Sequence, residues 1–213
     1  MKPIICYVTD RKALGAADAA GSLLAKIRTA MAAGVDRVQI RERDMPAREL
    51  LSLAKAAIGA REGEARVLVN DRLDVALAAG AAGVHLGGAS VPVREVLRWL
   101  RERNAPAEFL VGVSCHSLQD AREAEDAGAS YVFFGPVFET PSKKSFGPPQ
   151  GIAKLAEVCG AVRIPVIAIG GVNEENAAEC VRAGAAGIAA IRMFQELREA
   201  ETLKRAIARL HAG

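Results

Sequence analysis

Two arginines in one short polar segment could bind an anion together. Gln39, Arg41 and Arg43 alternate at the end of an apolar run, and alternate residues of an extended chain point to the same side. Two guanidinium groups side by side form a binding site for phosphate or diphosphate. The segment therefore predicts an anion site. Because Glu42 and Asp44 are interleaved with the arginines, a charge-balanced, solvated strand end is the alternative.

An asparagine and an aspartate end another apolar run. Asn70 and Asp71 stand directly before a segment with helical spacing. A carboxylate beside a carboxamide can hold Mg²⁺ together with substrate phosphates and waters, because this cation prefers oxygen ligands. Asp71 could equally cap the following helix. The sequence leaves both roles open, and Asp71 is the candidate metal ligand.

Two histidines differ in the roles that their surroundings indicate. His85 alternates with apolar residues inside a strand-like run, and we interpret it as a core histidine whose hydrogen bonds are satisfied. His116 comes just after Ser114 at the end of another run and precedes a capping sequence. A general acid or base would be placed there. His116 is therefore a candidate catalytic residue.

A loop that carries hydroxyl and ammonium groups follows the sixth apolar run. Thr140, Ser142 and Lys143 lie in this least regular part of the chain. A lysine on a movable loop can close over a diphosphate and neutralise its charge as it leaves. Lys143 is thus a further candidate catalytic residue, like Arg41. An exposed basic loop is the alternative interpretation.

The ends of the last two apolar runs have the features of a phosphate site. Gly170 and Gly171 follow one run, and Ile191 and Arg192 follow the other. Barrel enzymes frequently bind a phosphate at this place through backbone N–H groups and the N-terminus of a short helix. These four residues are predicted to hold a phosphate group.

Eight short apolar runs must position all of these groups. Segments with helical spacing of apolar residues separate the runs. Such alternation predicts parallel strands joined by right-handed helical crossovers, and eight units predict an α/β protein that forms one (β/α)₈ TIM barrel over residues 1–213. A doubly wound open sheet is the alternative that the pattern permits. The predicted strands are Pro3–Thr9, Arg37–Arg41, Arg66–Asn70, Gly83–Leu86, Phe109–Ser114, Tyr131–Phe134, Pro165–Ile169 and Gly187–Ile191.

Local signals mark the helix ends. An Ala-Gly dipeptide recurs before every second strand, and glycine there supplies a left-handed helix cap. Ser117 to Asp120 fits a capping box, and Asn173 is a candidate N-cap. The recurring glycines are Gly34, Gly80, Gly128 and Gly184.

Composition and charge exclude several classes of protein. The net charge is only +3, with basic and acidic residues interleaved, so nucleic acid is not an expected partner. Without a run of 18 apolar residues, no membrane span is expected. We predict a cytoplasmic protein whose partners are small phosphorylated molecules, and a homodimer is one option for its oligomeric state. Four cysteines, interpreted as reduced and structural, share no C-x-x-C spacing: Cys6, Cys115, Cys159 and Cys180.

The order of these motifs resembles that of the thiamine phosphate synthase and thiazole tautomerase family over nearly the whole chain. The family's patterns Q-x-R-x-K, N-D, G-V-H-L-G, G-x-S-x-H, G-P-V-F-x-T-x-[ST]-K and A-I-G-G have counterparts here. In the same order, the counterparts are Gln39–Arg43, Asn70-Asp71, Gly83–Gly87, Gly112–His116, Gly135–Lys143 and Ala168–Gly171.

The resemblance implies a transferase of thiamine biosynthesis. It would join hydroxymethylpyrimidine diphosphate to thiazole phosphate with loss of diphosphate, and it would use Mg²⁺ bound by Asp71. The residues that would hold the pyrimidine diphosphate are Gln39, Arg41, Arg43, Asn70, Ser114 and Lys143. Those that would hold the thiazole phosphate are Thr140, Ser142, Gly171, Ile191 and Arg192.

Three residues depart from the synthase pattern. Ser90 stands where the synthases have a second metal carboxylate, and without that charge Mg²⁺ should bind less tightly. Arg43 replaces a lysine and can still grip phosphate, whereas Arg192 replaces a serine and adds charge to the phosphate pocket.

The departures keep two other functions open. The tautomerases share the barrel and the phosphate pocket but use no metal, and they shift a proton with a histidine that resembles His116. Ser90 fits them better. Arg41, Arg43 and the loop that contains Lys143 fit the synthases better, because a tautomerase has no diphosphate to neutralise. A non-catalytic sensor of a phosphorylated ligand is the third hypothesis, and synthase is the first.

Overall fold

Eight parallel strands close into a barrel. The computed structural model describes residues 2–15, 19–61, 63–140, 148–197 and 200–212. Each strand pairs with the next along the chain, and the last pairs with the first. The predicted (β/α)₈ TIM barrel is confirmed, and the open sheet is wrong because β8 and β1 pair in parallel over four residues, from Ile4 opposite Gly187 to Tyr7 opposite Ala190.

Strands and helices alternate as predicted. The strands are β1 Ile4–Val8, β2 Arg37–Ile40, β3 Arg66–Asn70, β4 Gly83–Leu86, β5 Leu110–Cys115, β6 Tyr131–Phe134, β7 Val166–Ile169 and β8 Gly187–Ala190. The helices are α1 Ala19–Ala32, α2 Ala47–Gly59, α3 Leu73–Ala79, α4 Val93–Glu102, α5 Leu118–Asp126, α6 Gly151–Ala161, α7 Ala177–Arg182, α8 Arg192–Glu196 and α9 Ala200–Ala212. A short 3₁₀ helix, Arg11–Leu14, follows β1.

The strands are buried on both faces, which explains their continuous apolar runs. One set of side chains fills the barrel interior, where Leu68, Phe133 and Ile167 belong to a single cluster. A larger cluster lies between strands and helices, and it includes Val38, Val84 and Ile188. The observed strands begin or end one residue away from several predicted limits, since ladder pairing rather than apolarity sets where a strand ends.

The helix-end signals have mixed outcomes. The four recurring glycines all have positive φ angles, as a left-handed cap requires. The capping box is confirmed, because Ser117 Oγ accepts from the Asp120 N–H and the Asp120 carboxylate accepts from the Ser117 N–H. The prediction for Asn173 is wrong. Its side chain accepts from the N–H groups of Glu175 and Asn176 and closes a turn, so that α7 begins only at Ala177.

The cysteines are free thiols, as predicted. Burial raises the pKa of Cys6, Cys115 and Cys180 to about 12 and that of Cys159 to about 11, so all four are protonated at neutral pH. No helix in the described ranges is long and apolar enough to span a membrane. The cytoplasmic location and the homodimer stay predictions.

Barrel closure depends on a glycine, and replacing it should destabilise the fold. A Cβ at Gly187 would lie 2.7 Å from the backbone carbon and nitrogen of Ile4 on β1. We expect Gly187→Ala to lower the free energy of unfolding by about 3 kcal/mol, because β8 and β1 must move apart. Urea denaturation measures this. Gly160→Ala is the control, since nothing lies within 4 Å of that position and alanine favours helix α6; an equal loss in both variants would contradict the prediction.

Candidate functional site

The polar strand ends meet at one opening of the barrel. Because all eight strands are parallel, their carboxyl ends share one rim. The register sets Gln39 of β2 beside Leu68 of β3, and Asn70 at the end of β3 opposite His85 of β4. The residues after β2, β3, β4 and β5 are therefore neighbours around this rim.

The acidic residues beside the two rim arginines pair with two other cations, Arg11 and Lys12. The Glu42 side chain is buried and accepts from Thr9 Oγ1 at 2.6 Å and from Arg11 Nη1 at 3.0 Å. Asp44 accepts from Arg11 Nη1 and Nη2 at 2.8 and 2.9 Å, and Lys12 Nζ lies 2.9 Å from Asp44 Oδ2. Hydrogen bonds from Arg11 and Lys12 hold the pKa of Asp44 well below its usual range. The charge-balanced interpretation of the segment is therefore wrong, because the 3₁₀ helix after β1 supplies the counter-charge.

Arg41 is consequently a cation in a setting that favours an anionic ligand. Burial lowers the pKa of the Arg41 guanidinium, and the positive charge of Arg43 lowers it further, while Asp10, Glu42 and Asp71 act in the opposite sense. A guanidinium nevertheless stays protonated in proteins. Its backbone is fixed, since the Arg41 N–H donates to Thr9 Oγ1 at 2.9 Å. An arriving phosphate would offset both unfavourable contributions.

A chain of amide side chains joins β2 to the candidate metal ligand. Gln39 Nε2 donates to Asn70 Oδ1 at 2.9 Å, and Asn70 Nδ2 donates to Asp71 Oδ2 at 2.7 Å. Gln39 is 2% exposed, and within the described part of the chain its Oε1 has no hydrogen-bond partner. A buried acceptor without a donor carries a free-energy cost. Gln39 thus offers an acceptor that a ligand N–H or O–H could satisfy.

Asp71 has a left-handed backbone and does not cap the following helix. Its φ of 59° is in the left-handed region, which an aspartate tolerates better than most residues. The cap position of α3 is Arg72, without a side-chain hydrogen bond, so the N-cap alternative for Asp71 is wrong. Asp71 Oδ1 accepts from Ser90 Oγ and from the Gly87 N–H.

Asp71 could hold a magnesium ion only as a single carboxylate, together with oxygens of a ligand. Mg²⁺ in phosphate-binding sites is often held by one or two carboxylates, with phosphate oxygens and waters completing its shell. Among the described residues no three His, Cys, Asp or Glu side chains cluster as a metal site. Ser90 occupies the position beside Asp71, and Arg43 is near as well: a Cβ built on Gly87 would lie 3.7 Å from Ser90 Oγ, 3.8 Å from Asp71 Oδ1 and 4.0 Å from Arg43 Nη2.

The two histidines hold different parts of the rim. His85 is a satisfied core residue, as interpreted from the sequence: Nδ1 lies 3.1 Å from Tyr131 Oη and Nε2 lies 2.9 Å from Ser114 Oγ. The ring Nδ1 of His116 contacts the carbonyl oxygen of Gly135, and the backbone N–H of His116 donates to the Asp120 carboxylate at 2.8 Å. These contacts anchor the exit of β6. The acid–base role of His116 stays a prediction.

The predicted phosphate corner has a tightly packed backbone. Gly170 and Gly171 have φ angles of 94° and 69°, and a Cβ at Gly171 would lie 2.5 Å from the Glu139 carbonyl oxygen. Ile169 pairs with Ala189, so the Gly171 turn lies next to the start of α8 at Arg192. The first N–H groups of a helix have no intrahelical acceptor. Backbone donors are thus available beside Gly171.

The remaining predicted residues belong to the loop after β6. Thr140 is its last described residue before the gap, whereas Ser142 and Lys143 lie outside the described residues. Their predicted contacts with diphosphate and phosphate are untested.

Sequence reasoning overlooked the end of β1 and the aromatic partner of His85. Thr9 and Arg11 fix Glu42, and Tyr131 contacts His85. A polar segment after the first apolar run was visible in the sequence and could have been treated like the other strand ends. Nothing in the sequence indicated that Tyr131 faces the barrel interior.

Comparisons with known proteins agree on one family. A family model described as thiamine monophosphate synthase matches residues 5–194. A thiamine-phosphate synthase of Methanoculleus marisnigri is 45% identical over 168 residues, 77% of this chain and 76% of that protein; one of Roseiflexus sp. is 41% identical over 189 residues, 88% and 76% of the two chains. The solved thiamine phosphate pyrophosphorylase from Pyrococcus furiosus has a TM-score of 0.84 at 30% identity, covering 98% of this chain and 95% of its own.

Removing Arg11 should weaken anion binding at a distance. In Arg11→Met, Glu42 loses its charged partner and Asp44 keeps only Lys12, so that Glu42 becomes a counter-ion for Arg41 and Arg43. We expect the dissociation constant of inorganic pyrophosphate, measured by calorimetry, to rise by about tenfold, which corresponds to about 1.4 kcal/mol. Arg98→Met is the control, because Arg98 pairs only with exposed Glu95 and Glu102 among its described partners. Equal pyrophosphate affinities in the two variants would contradict this role of Arg11.

Proposed function

This chain belongs to the thiamine monophosphate synthase family, and from this premise we propose that it joins hydroxymethylpyrimidine diphosphate to thiazole phosphate, releasing diphosphate and forming thiamine phosphate. The observation that carries the proposal is the charge arrangement at the rim. Glu42 and Asp44 pair with Arg11 and Lys12, which leaves Arg41 and Arg43 for an anionic ligand, and both arginines lie on the side of the barrel where Asp71 is placed. That arrangement suits a diphosphate.

The reaction needs charge stabilisation more than proton transfer. The bond between the pyrimidine methylene carbon and the diphosphate oxygen breaks, and its electron pair leaves with the diphosphate. The thiazole nitrogen then forms the new bond to that carbon and becomes positively charged, so no proton has to be removed. Fixed cations stabilise the leaving charge. We assign this task to Arg41 and Arg43, together with Lys143.

The other residues bind and orient the two substrates. Gln39 Oε1 needs a donor, and the amino group of the pyrimidine supplies one. Asn70 keeps the Gln39 amide in place through the 2.9 Å hydrogen bond. Ser114 contacts the same substrate. The thiazole phosphate is assigned to the corner built by Gly170, Gly171, Ile191 and Arg192, with Thr140 and Ser142 in the adjoining loop.

The proposal includes a magnesium ion bound by one protein carboxylate instead of two. When bound, Mg²⁺ would lower the negative charge of the departing diphosphate. Asp71 would hold it as the one carboxylate, with diphosphate oxygens and waters as the further ligands. Ser90 donates to Asp71 Oδ1, and this bond would orient the carboxylate, whose oxygens keep further lone pairs for a cation.

Thiazole tautomerase is the second candidate, and Ser90 is the observation that favours it. A tautomerase needs no metal, so a serine beside Asp71 would carry no penalty. His116 would then transfer the ring proton. The rim cations favour the synthase, because the tautomerase reaction releases no diphosphate.

Two variants separate these functions. Both substrates are incubated with and without Mg²⁺, and thiamine phosphate is quantified. We expect a product that requires Mg²⁺, survives His116→Ala and is reduced at least a hundredfold by Asp71→Ala, because the latter removes the one protein carboxylate assigned to the cation. Isomerisation of thiazole carboxylate phosphate that needs no metal and is lost in His116→Ala would overturn the synthase proposal.

Position 90 should control the magnesium requirement. Ser90→Asp adds a second carboxylate beside Asp71 and should lower the Mg²⁺ concentration for half-maximal activity by about tenfold. Ser90→Ala is the matched control, because it removes the hydroxyl without adding charge. The measurement is a magnesium titration of initial rates at saturating substrates. An unchanged requirement in Ser90→Asp would show that this position is remote from the cation.

A further inference from the structure

Three polar side chains form a connected path inside the barrel. His85 is 1% exposed, and its two ring nitrogens face different hydroxyls. Nδ1 lies 3.1 Å from Oη of the fully buried Tyr131, and Nε2 lies 2.9 Å from Oγ of Ser114. Ser114 is half-buried, next to the last residue of β5. The path therefore runs from the interior to the substrate side.

The surrounding chain is shaped to hold this path. Gly112 is opposite Tyr131 in the sheet, and a Cβ at Gly112 would lie 2.5 Å from Tyr131 Cε1. Only glycine leaves room for the phenol ring there. The His85 ring packs against Phe133 with 4.2 Å between ring centroids, so rotation of the imidazole is hindered.

The direction of the hydrogen bonds follows from the Tyr131 proton. Burial raises the pKa of Tyr131 well above its usual range, so the phenol keeps its hydrogen and needs an acceptor. The guanidinium of Arg37 lies 4.6 Å from the centre of the Tyr131 ring, and a guanidinium has donors but no acceptor. His85 Nδ1 is the acceptor that the geometry provides. A neutral imidazole that accepts at Nδ1 carries its proton on Nε2.

We propose that Tyr131 and His85 are positioning residues that fix the Ser114 hydroxyl as a hydrogen-bond donor toward the substrate. Tyr131 donates to Nδ1, Nε2–H donates to Ser114 Oγ, and the Ser114 proton is directed to a third group. The Ser114 proton then recognises a ligand atom that accepts a hydrogen bond, such as a ring nitrogen or a phosphoryl oxygen. The identity of that ligand rests on the proposed function; the relay does not.

The tautomer of His85 is the first test. Nitrogen-15 NMR of the histidine-labelled protein, with His85→Gln used to assign the signal, should show a neutral ring protonated on Nε2. In Tyr131→Phe the donor to Nδ1 is lost, and we expect the signal to shift toward a mixture of tautomers. A ring protonated on Nδ1 in the unaltered protein, or one that is unchanged in Tyr131→Phe, would overturn the relay. A packing role for Tyr131 would not change the tautomer.

Binding measurements test the consequence for Ser114. We expect Tyr131→Phe to raise the dissociation constant of inorganic pyrophosphate or of hydroxymethylpyrimidine by about fivefold, in the range of one hydrogen bond. The same substitution should have no further effect in the Ser114→Ala background. Independent losses in the double variant would overturn the coupling. Tyr7→Phe is the control, because Tyr7 is also fully buried but packs against Phe194 outside the barrel interior.

Two probes identify the atom that Ser114 recognises and keep the relay separate from the overall reaction. The probes are inorganic pyrophosphate, which has no ring, and hydroxymethylpyrimidine, which has no phosphate. If Ser114→Ala weakens the binding of hydroxymethylpyrimidine alone, Ser114 donates to a ring nitrogen. If it weakens the binding of pyrophosphate alone, Ser114 donates to a phosphoryl oxygen. Unchanged binding of both would overturn the donor role. Since neither the probes nor the tautomer requires turnover, a protein that forms no thiamine phosphate can still have the relay.

Discussion

Parallel pairing of all eight strands, closed by β8 and β1, is the constraint on which the other features depend. It brings eight strand ends to one rim, although the residues concerned are scattered from Thr9 to Arg192 along the chain. Glycines make the close approach feasible, since a side chain at Gly187 would meet the backbone of Ile4. The contact of Arg11 with the carboxylates after β2 follows from the direct pairing of β1 with β2, in which Val8 is opposite Gln39.

The charge arrangement at the rim depends on the contact between Arg11, after β1, and the two carboxylates after β2. Arg11 takes up Glu42 and Asp44, and the alternating arginines keep their positive charge for a ligand. The pairs differ in exposure, because the Glu42 side chain is 2% exposed and that of Asp44 is 49% exposed. Salt will therefore screen the outer pair far more than the inner one.

The sequence predicted the barrel well because every strand carries its own signal. A continuous apolar run such as Tyr131–Phe134 needs no knowledge of its neighbours to be recognised. The same local reasoning placed Arg41, Asn70 and Ser114 at strand ends. It could not decide between two possible roles of a residue where the choice depends on the folded structure. The structure shows that Glu42 pairs with Arg11 rather than with the rim arginines, and that Asp71 has a left-handed backbone and does not cap α3.

The hydrogen-bonded path in the interior also bears on how the barrel finds its pairing during folding. Gly112 faces Tyr131 in the native register, and a slip of β5 by two residues would set Leu110 or Ser114 there instead. Either residue would place a Cβ under the phenol ring, and His85 would lose its contact with Ser114. Misaligned barrels are thus penalised by both steric overlap and unpaired polar groups. The side chains that orient the Ser114 hydroxyl in the native protein therefore also favour the native register of β5 over shifted ones.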